Sequence, residues 1–183
     1  MSKSILVEKS PQNLIMTRFL QALFPEAYFV IAIRHPIPSA VATRRWDRWT
    51  LRGLAPTRLL QLVEHWLHGY EIFLADAPHL APDRVVLVRY EDLVADPEAT
   101  LRRLFAFLGP PPAQIAATVD RAVNETYFRR WRGSRWNPVC TRWHTTIARR
   151  LETRTNAFGY SLETPERTVS PARAVQRLLL RSR

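Results

Sequence analysis

Residues 28–33 read YFVIAI and are followed directly by Arg34, His35 and Pro36. This is a continuous apolar, β-prone run without alternation, which is typical of a parallel strand covered on both faces. Residues 84–88 (RVVLV) have the same character. Two such strands separated by helical segments predict an α/β fold with a mostly parallel sheet.

Segments around these two strands carry weaker signals. Residues 4–8 (SILVE) form a short apolar run that predicts another strand. Ser10 and Asp96 are each followed by a proline, a pattern that favours an N-cap and first helical residue. Apolar residues recur at helical spacing in four segments. Helices are therefore predicted over residues 11–23, about 38–46, 56–75 and 97–108.

The charge of the chain favours an anionic ligand. Its formal net charge is +11, and only Lys3 and Lys9 are lysines. Arginine pairs bidentately with phosphate and sulfate. An arginine-rich codon usage could also produce this excess, and a nucleic-acid partner stays open, although the arginines are spread along the chain and form no single stripe.

The cysteine content and the hydropathy limit the compartment and the kinds of site that can be expected. Cys140 is the only cysteine, so no internal disulfide can form and a reducing cytoplasm is expected. No apolar run approaches the ~20 residues of a membrane span. His65 and His68 lie three apart, but no third ligand is near them in sequence, so no metal site is predicted.

The composition divides the chain in two. Residues 1–163 are predicted to form one domain. Residues 164–183 (TPERTVSPARAVQRLLLRSR) combine prolines and serines with terminal arginines around a short leucine run. We expect this basic segment to be a C-terminal tail, either flexible or docked at the periphery.

Four stretches in this order resemble the sulfotransferase superfamily. They are EKSPQN (residues 8–13), FPEA before the first long strand (24–27), VRYEDL with Asp96-Pro97 (88–97), and Tyr127-Phe128 with Trp131 and a final Phe158-Gly159-Tyr160. The resemblance implies a three-layer α/β fold related to the P-loop kinases, with a parallel sheet and helices on both faces. It also implies 3'-phosphoadenosine-5'-phosphosulfate (PAPS) as the sulfonate donor and a small-molecule or carbohydrate hydroxyl as acceptor, with no metal.

The resemblance assigns candidate catalytic residues at the start of the chain. In relatives that act on carbohydrates, the glutamate of an EKSP-like motif looks like the base that takes the acceptor proton. Glu8 becomes the candidate base, and Lys9 a candidate for steadying the sulfonate or acceptor. The alternative is that both residues only solvate the end of a strand.

Candidate donor-binding residues lie in two places. Arg34 matches the arginine that binds the 3'-phosphate, with Ser39 or Thr43 supplying a hydroxyl, because Ala42 stands where many relatives have serine. The alternative for Arg34 is a surface ion pair. Arg132 and Gly133 lie where the family has a second nucleotide loop, although its fuller glycine-rich form is absent. Base stacking on single-stranded nucleic acid is the rival interpretation of this tryptophan- and arginine-rich region.

Two acidic residues of the RYEDL stretch are predicted to be structural. Glu91 and Asp92 are adjacent at a strand end, and neighbouring side chains there point to opposite faces. One of them is expected to cap a helix or pair with a neighbouring arginine.

The family's 5'-phosphosulfate loop and first strand have no counterpart upstream of Leu6. The sequence therefore predicts an N-terminally incomplete sulfotransferase without that P-loop-like turn, inactive as it stands. A non-catalytic nucleotide-binding remnant and a basic nucleic-acid-binding protein stay open as alternatives; a nucleic-acid partner is the less favoured.

Overall fold

A two-stranded parallel sheet lies at the centre of the part of the chain that the structure describes. The computed structural model describes residues 6–46, 56–109, 122–133 and 138–180. Strands β1 (Phe29–Ile33) and β2 (Val85–Arg89) pair in parallel with Phe29 opposite Val85 and Ile33 opposite Arg89. Both predicted strands and their parallel direction are confirmed. The helices described are α1 (Thr17–Leu23), α2 (Pro36–Trp46), α3 (Pro56–Asp76), α4 (Tyr90–Ala95), α5 (Pro97–Leu108), α6 (Ala122–Gly133), α7 (Pro138–Asn156) and α8 (Arg173–Leu178), with 3-10 helices at Pro11–Ile15 and Ala77–His79.

The two faces of the sheet are covered unequally. Phe29, Ile31 and Ile33 of β1 are buried in the main core, whereas Val30 on the other face is 40% exposed. Val86, opposite Val30, is buried. The prediction that the first strand is covered on both faces is therefore wrong for β1 in the described residues. The three-layer arrangement stays a prediction.

The segment before β1 differs from its sequence prediction. Leu6, Val7 and Glu8 lie outside any strand, and the remainder of the predicted strand falls outside the described residues. Leu6 and Val7 are 92% and 82% exposed. No described strand lies beside this segment, and a strand without a partner gains no ladder of hydrogen bonds.

The helix predicted over residues 11–23 is divided. Met16 leaves helical geometry, with φ −125°, between the 3-10 helix Pro11–Ile15 and α1. Ser10 precedes the 3-10 helix but gives no side-chain cap, because its hydroxyl bonds the Gln12 side chain instead. Leu14 packs closely on α3 at Gly69, where an added Cβ would lie 3.2 Å from the Leu14 Cδ2.

Helix α3 is the hub of the core. Val63, Leu67 and Phe73 are fully buried along it. It packs against α2 and α7, and Arg154 of α7 donates through Nε and Nη2 to both carboxylate oxygens of Glu71, at 2.8 and 2.6 Å. This bidentate pair lowers the pKa of Glu71. The helices that the structure describes include none long and apolar enough to cross a bilayer.

Helix α3 also closes the free edge of β1. The Phe29 amide donates to the Arg84 carbonyl on the β2 side, so the carbonyls of Ala32 and Arg34 point to the opposite edge. There the Tyr70 hydroxyl donates to Ala32 O at 2.7 Å, and Trp66 Nε1 donates to Arg34 O at 3.1 Å. Two side chains thus supply donors that a neighbouring strand would otherwise supply.

The C-terminal segment closes the edge of β2. The Leu180 amide donates to the Leu87 carbonyl at 2.9 Å, and Val175 of α8 is 1% exposed. Gly159, with φ +88°, makes the turn that brings the chain back, and its position faces the Val169 carbonyl, which lies 3.2 Å from where a Cβ would be. The chain after residue 163 thus contacts the edge of β2 through Leu180, and the division into a domain and a tail stays a prediction.

Capping of α5 follows the sequence. The Asp96 side chain accepts a hydrogen bond from the Ala99 amide at 3.0 Å, and Pro97 is the first helical residue. Gly109 follows the helix with φ +145°. The predicted helix start and stop are both confirmed.

Removing the Tyr70 hydroxyl should destabilise the protein. Tyr70→Phe leaves the Ala32 carbonyl without its donor but keeps the packed ring, so we expect a loss of about 1 kcal/mol in the free energy of unfolding. Urea denaturation measures it. Tyr28→Phe is the matched control: its ring is half-exposed against Phe107, and the change should stay within about 0.5 kcal/mol. Equal stability of the two variants would contradict the role given to the Tyr70 hydroxyl.

Candidate functional site

Polar side chains gather at the carboxyl ends of the two strands. Arg34 and His35 follow β1, while Arg89 ends β2 and Glu91 lies just beyond it on α4. Ligands of parallel α/β sheets bind at this edge. The residues at these strand ends form the candidate site.

Arg34 is held by three neutral groups. Its Nε donates to the Asn124 Oδ1 of α6 at 2.7 Å. Its guanidinium lies over the rings of Tyr90, at 4.6 Å, and Tyr127, at 5.2 Å. Its Nη2 is buried and has no acceptor among the described residues. A buried donor without an acceptor is rare in folded proteins, and a water molecule or a ligand oxygen can supply the acceptor.

The charge of Arg34 is unmatched in the part of the chain that the structure describes. Several other arginines carry carboxylate partners: Arg84 with Glu26, Arg102 with Glu98, Arg132 with Glu125 and Glu166, Arg150 with Glu64, and Arg154 with Glu71. No described carboxylate pairs with Arg34 in this way, so the surface ion pair considered from the sequence is not observed there. A half-buried guanidinium on aromatic faces retains its full charge for an anion.

His35 is a buried neutral cap of α2. It is 3% exposed; its Nδ1 accepts from the Ile37 amide at 3.1 Å, and its Nε2 lies 3.1 Å from the Ser161 carbonyl. The hydrogen bonds require the tautomer with the proton on Nε2. Burial lowers the pKa of His35 to about 4, and the charge of Arg89 adds to this, while the bond to Ser161 opposes it.

Glu91 has the structural role that the sequence predicted, with different partners. Its Oε1 accepts from the His35 amide at 2.9 Å, and its Oε2 accepts from the Tyr160 hydroxyl at 2.9 Å. Burial and the charge of Glu91 raise the pKa of Tyr160. The expected arginine partner is replaced by a backbone amide and a phenol.

The first turn of α2 has no free donors to give. Pro36 and Pro38 lack N–H groups, and the Ile37 amide is taken by His35. Ser39 Oγ donates to the His35 carbonyl at 3.0 Å, and Thr43 Oγ1 donates to the Ser39 carbonyl at 2.9 Å. Their roles toward a nucleotide stay predictions, and in the structure both hydroxyl protons are engaged.

Glu8 and Lys9 lie apart from these contacts. Both are exposed, in the segment before the 3-10 helix, and neither makes a hydrogen bond or ion pair with another described residue. The 3-10 helix that follows them packs on α3, which also donates to the Arg34 carbonyl through Trp66. The segment of Glu8 and Lys9 is therefore connected to Arg34 only indirectly, through α3. The catalytic roles of Glu8 and Lys9 stay predictions.

Arg132 and Gly133 end α6 beside a cavity. Arg132 pairs with Glu125 and Glu166, and Gly133 is exposed. The cavity has a volume of about 450 Å³, and Trp131, stacked on His144 at 3.6 Å, forms part of its wall. None of the residues that hold Arg34 lines it. The structure therefore does not join Arg132 and Arg34 in one site through these contacts.

The sequence missed Asn124, which completes the support of Arg34. The sequence does contain a pattern that includes it, because residues 124, 127, 128 and 131 are spaced to share one face of a helix. The sequence motif includes Tyr127 and Phe128, but only the structure turns this face toward α2. In the described ranges, no group of three or more metal-ligating side chains is placed to hold a metal ion.

A family model supports the sequence resemblance. The model described as "Sulfotransferase family" matches residues 1–114, more than half of the chain. No solved structure gives a significant match.

Curated relatives are distant and longer than this chain. A protein-tyrosine sulfotransferase of Drosophila melanogaster is 29% identical over 108 residues, which cover 58% of this chain and 21% of the relative. The nodulation protein NoeE of Sinorhizobium fredii is 28% identical over 142 residues, covering 70% and 33%. The omega-hydroxy-beta-dihydromenaquinone-9 sulfotransferase Stf3 of Mycobacterium bovis is 28% identical over 114 residues, covering 58% and 29%. The chain thus spans a third or less of their length.

The buried His35 predicts a loss of stability in acid. The unfolded chain takes up a proton near pH 6.5, whereas folded His35 does so only near pH 4. The stabilisation is complete above pH 6.5 and is lost as the pH falls to 4, by about 3 kcal/mol in total.

The measurement is the free energy of unfolding as a function of pH. His35→Asn keeps an acceptor for the Ile37 amide but does not titrate, so its slope between pH 4 and 6.5 should be shallower by about one proton. His79→Asn, at an exposed histidine, is the control and should keep the wild-type slope. Parallel curves for His35→Asn and wild type would contradict the burial of a neutral His35.

Proposed function

The chain belongs to the sulfotransferase family, and on that premise we propose that it takes part in transferring a sulfonate group from PAPS to a hydroxyl acceptor. Arg34 binds the 3'-phosphate of the donor in this proposal. The single observation that supports it most is the unmatched guanidinium of Arg34 at the carboxyl end of β1.

The residues around Arg34 fit a phosphate group. Its Nη2 lacks an acceptor within the described chain, and phosphate oxygens are strong acceptors for a guanidinium. The rings of Tyr90 and Tyr127 lie against its guanidinium, and a charge-assisted bond is stronger where protein groups replace water. A 3'-phosphate is what distinguishes PAPS and its product from ordinary adenine nucleotides.

The remaining assignments follow the family resemblance. PAPS supplies the sulfonate on a phosphate leaving group. The acceptor oxygen bonds to sulfur as the bond from sulfur to the bridging phosphate oxygen breaks and 3',5'-ADP leaves. Glu8 accepts the proton of the acceptor hydroxyl, and Lys9 stabilises the negative charge. Ser39 or Thr43 turns a hydroxyl toward the 3'-phosphate, which requires one of them to exchange its present carbonyl partner. Arg132 and Gly133 contribute only if Arg132 exchanges Glu125 or Glu166 for the nucleotide.

The acceptor class is a hydroxyl. The names of the relatives include a tyrosine of a protein and an omega-hydroxyl of a menaquinone derivative. Both are hydroxyl groups on otherwise different molecules. We therefore propose that the acceptor group is a hydroxyl, without assigning the molecule that carries it. Small molecules and carbohydrates are among the candidates. The complete three-layer fold and a cytoplasmic location belong to the same proposal.

A non-catalytic nucleotide-binding protein is the second candidate. It is favoured by the exposed position of Glu8 and Lys9, which have no described contact with the Arg34 cluster. In that case binding of 3',5'-ADP survives while transfer is absent. Nucleic-acid binding is disfavoured because several arginines, Arg84 and Arg154 among them, already carry carboxylate partners.

Replacing Arg34 tests the donor site. Arg34→Ala should weaken binding of 3',5'-ADP by about 10- to 150-fold, corresponding to ~1.5–3 kcal/mol for a charge-assisted contact. AMP has no 3'-phosphate, so its affinity should change by less than about two-fold. Isothermal titration calorimetry measures both. Arg102→Ala, at an exposed arginine paired with Glu98, is the control and should bind both nucleotides as the wild type does. Equal losses for the two nucleotides would show that Arg34 does not read the 3'-phosphate.

Replacing Glu8 tests the chemistry separately. In the whole gene product, Glu8→Gln should lower sulfonate transfer from radiolabelled PAPS by ~10²–10⁴-fold, the usual contribution of a general base. Its affinity for 3',5'-ADP should stay within about two-fold, since no proton is moved in binding. A tyrosine peptide and a long-chain alcohol serve as acceptors, and Glu98→Gln is the control. Unchanged turnover in Glu8→Gln would remove Glu8 from the mechanism.

A further inference from the structure

Asn124 is the one hydrogen-bond partner of the Arg34 side chain in the described residues. Its Oδ1 accepts from Arg34 Nε at 2.7 Å. Helix α6, which carries it, packs along α2, so the backbone of Asn124 is fixed relative to the end of β1. Asn124 is half-buried, and the contact spans 90 positions of the sequence.

The chemical type of this partner matters. Glu26, Glu71 and other carboxylates hold the paired arginines of this protein and cancel their charge. An amide oxygen fixes the guanidinium in the same way but leaves its charge intact. The bond to Asn124 uses only Nε, so neither Nη group is engaged by it, and the buried Nη2 has no acceptor among the described residues.

We propose that Asn124 is a positioning residue for anion binding: it orients Arg34 through a neutral acceptor, so that the guanidinium stays charged and presents its Nη groups to a phosphate-type oxyanion. The proposal rests on the proposed function for the identity of the nucleotide. It makes its own claim for any tetrahedral oxyanion, inorganic phosphate included.

A carboxylate in place of Asn124 should separate stability from binding. Asn124→Asp keeps the acceptor and adds a charge partner for Arg34, so the melting temperature without phosphate should equal or exceed that of the wild type. Binding of inorganic phosphate should nevertheless weaken by about 10-fold or more, because the new carboxylate competes for the guanidinium and repels the anion. A merely structural residue would change both quantities in the same direction.

Two further variants complete the set. Asn124→Ala loses the acceptor, so it should lower the melting temperature and weaken phosphate binding by about 3- to 10-fold. Thr126→Asp adds the same charge two residues further along α6, where the threonine hydroxyl donates to the Ala122 carbonyl. It should weaken phosphate binding by less than about two-fold, since residues two apart on a helix do not share a face.

The experiment measures melting temperature against phosphate concentration for the four proteins and then titrates 3',5'-ADP and AMP by calorimetry. Asn124→Asp should also reduce the preference for 3',5'-ADP over AMP. In an Arg34→Ala background Asn124→Asp should have a much smaller effect, because only its direct repulsion of the anion remains. The proposal is overturned if Asn124→Asp binds phosphate as tightly as wild type, or if its weaker binding accompanies a lower melting temperature.

The phosphate series and the nucleotide titrations test this proposal separately from the assignment of the nucleotide. Phosphate binding that depends on Asn124 as described, without any preference for 3',5'-ADP, supports the positioning role and overturns the donor site. A preference for 3',5'-ADP that requires Arg34 but is indifferent to all Asn124 variants supports the donor site and overturns the positioning role. Absence of phosphate and nucleotide binding in the wild type overturns both.

Discussion

A sheet of two parallel strands has two open edges, and closing them is the constraint on which this fold depends. Each edge is a row of amides and carbonyls that must find partners or stay in water. On β1 the closure is made by side chains, since Tyr70 and Trp66 of α3 donate to successive outward carbonyls. On β2 it is made by backbone, since the chain returns after α8 and the Leu180 amide donates to Leu87. The long helix and the C-terminal segment are thus both parts of the sheet's hydrogen-bonding scheme.

The candidate site inherits its rigidity from the same arrangement. Trp66 holds the carbonyl of Arg34 while Asn124 holds its side chain, so the residue is anchored at both ends by different helices. The next residue, His35, is anchored by Glu91 through its amide and by Ser161 through its ring. Consecutive residues with this many fixed partners lose little further entropy when a ligand binds. Preorganisation of this kind is what distinguishes the end of β1 from the exposed segment around Glu8.

The sequence predicted those parts of the structure that local patterns encode. Apolar β-branched runs indicated both strands, and Asp96-Pro97 indicated the start of α5, because these signals act within a few residues. Sequence patterns also indicated a structural role for Glu91, whereas the binding role of Arg34 stays a prediction. They failed where a distant element decides the outcome: Leu6 to Glu8 lack a neighbouring strand, and one face of β1 lacks a covering helix in the described residues. Asn124 was missed for the same reason, because its partner lies 90 positions away.

The two prolines at the start of α2 have a consequence for ion selectivity. A helix N-terminus with free amides attracts spherical and tetrahedral anions alike, through its dipole. Here Pro36 and Pro38 remove two of those amides and His35 occupies the one between them, which leaves a planar fork as the electropositive group at this strand end. A planar guanidinium binds best to two oxygens that are spaced to accept from two of its N–H groups. A halide ion has no such pair of oxygens. If Arg34 binds the donor as proposed, we expect chloride to compete poorly at this strand end, whereas sulfate and phosphate esters should compete with one another.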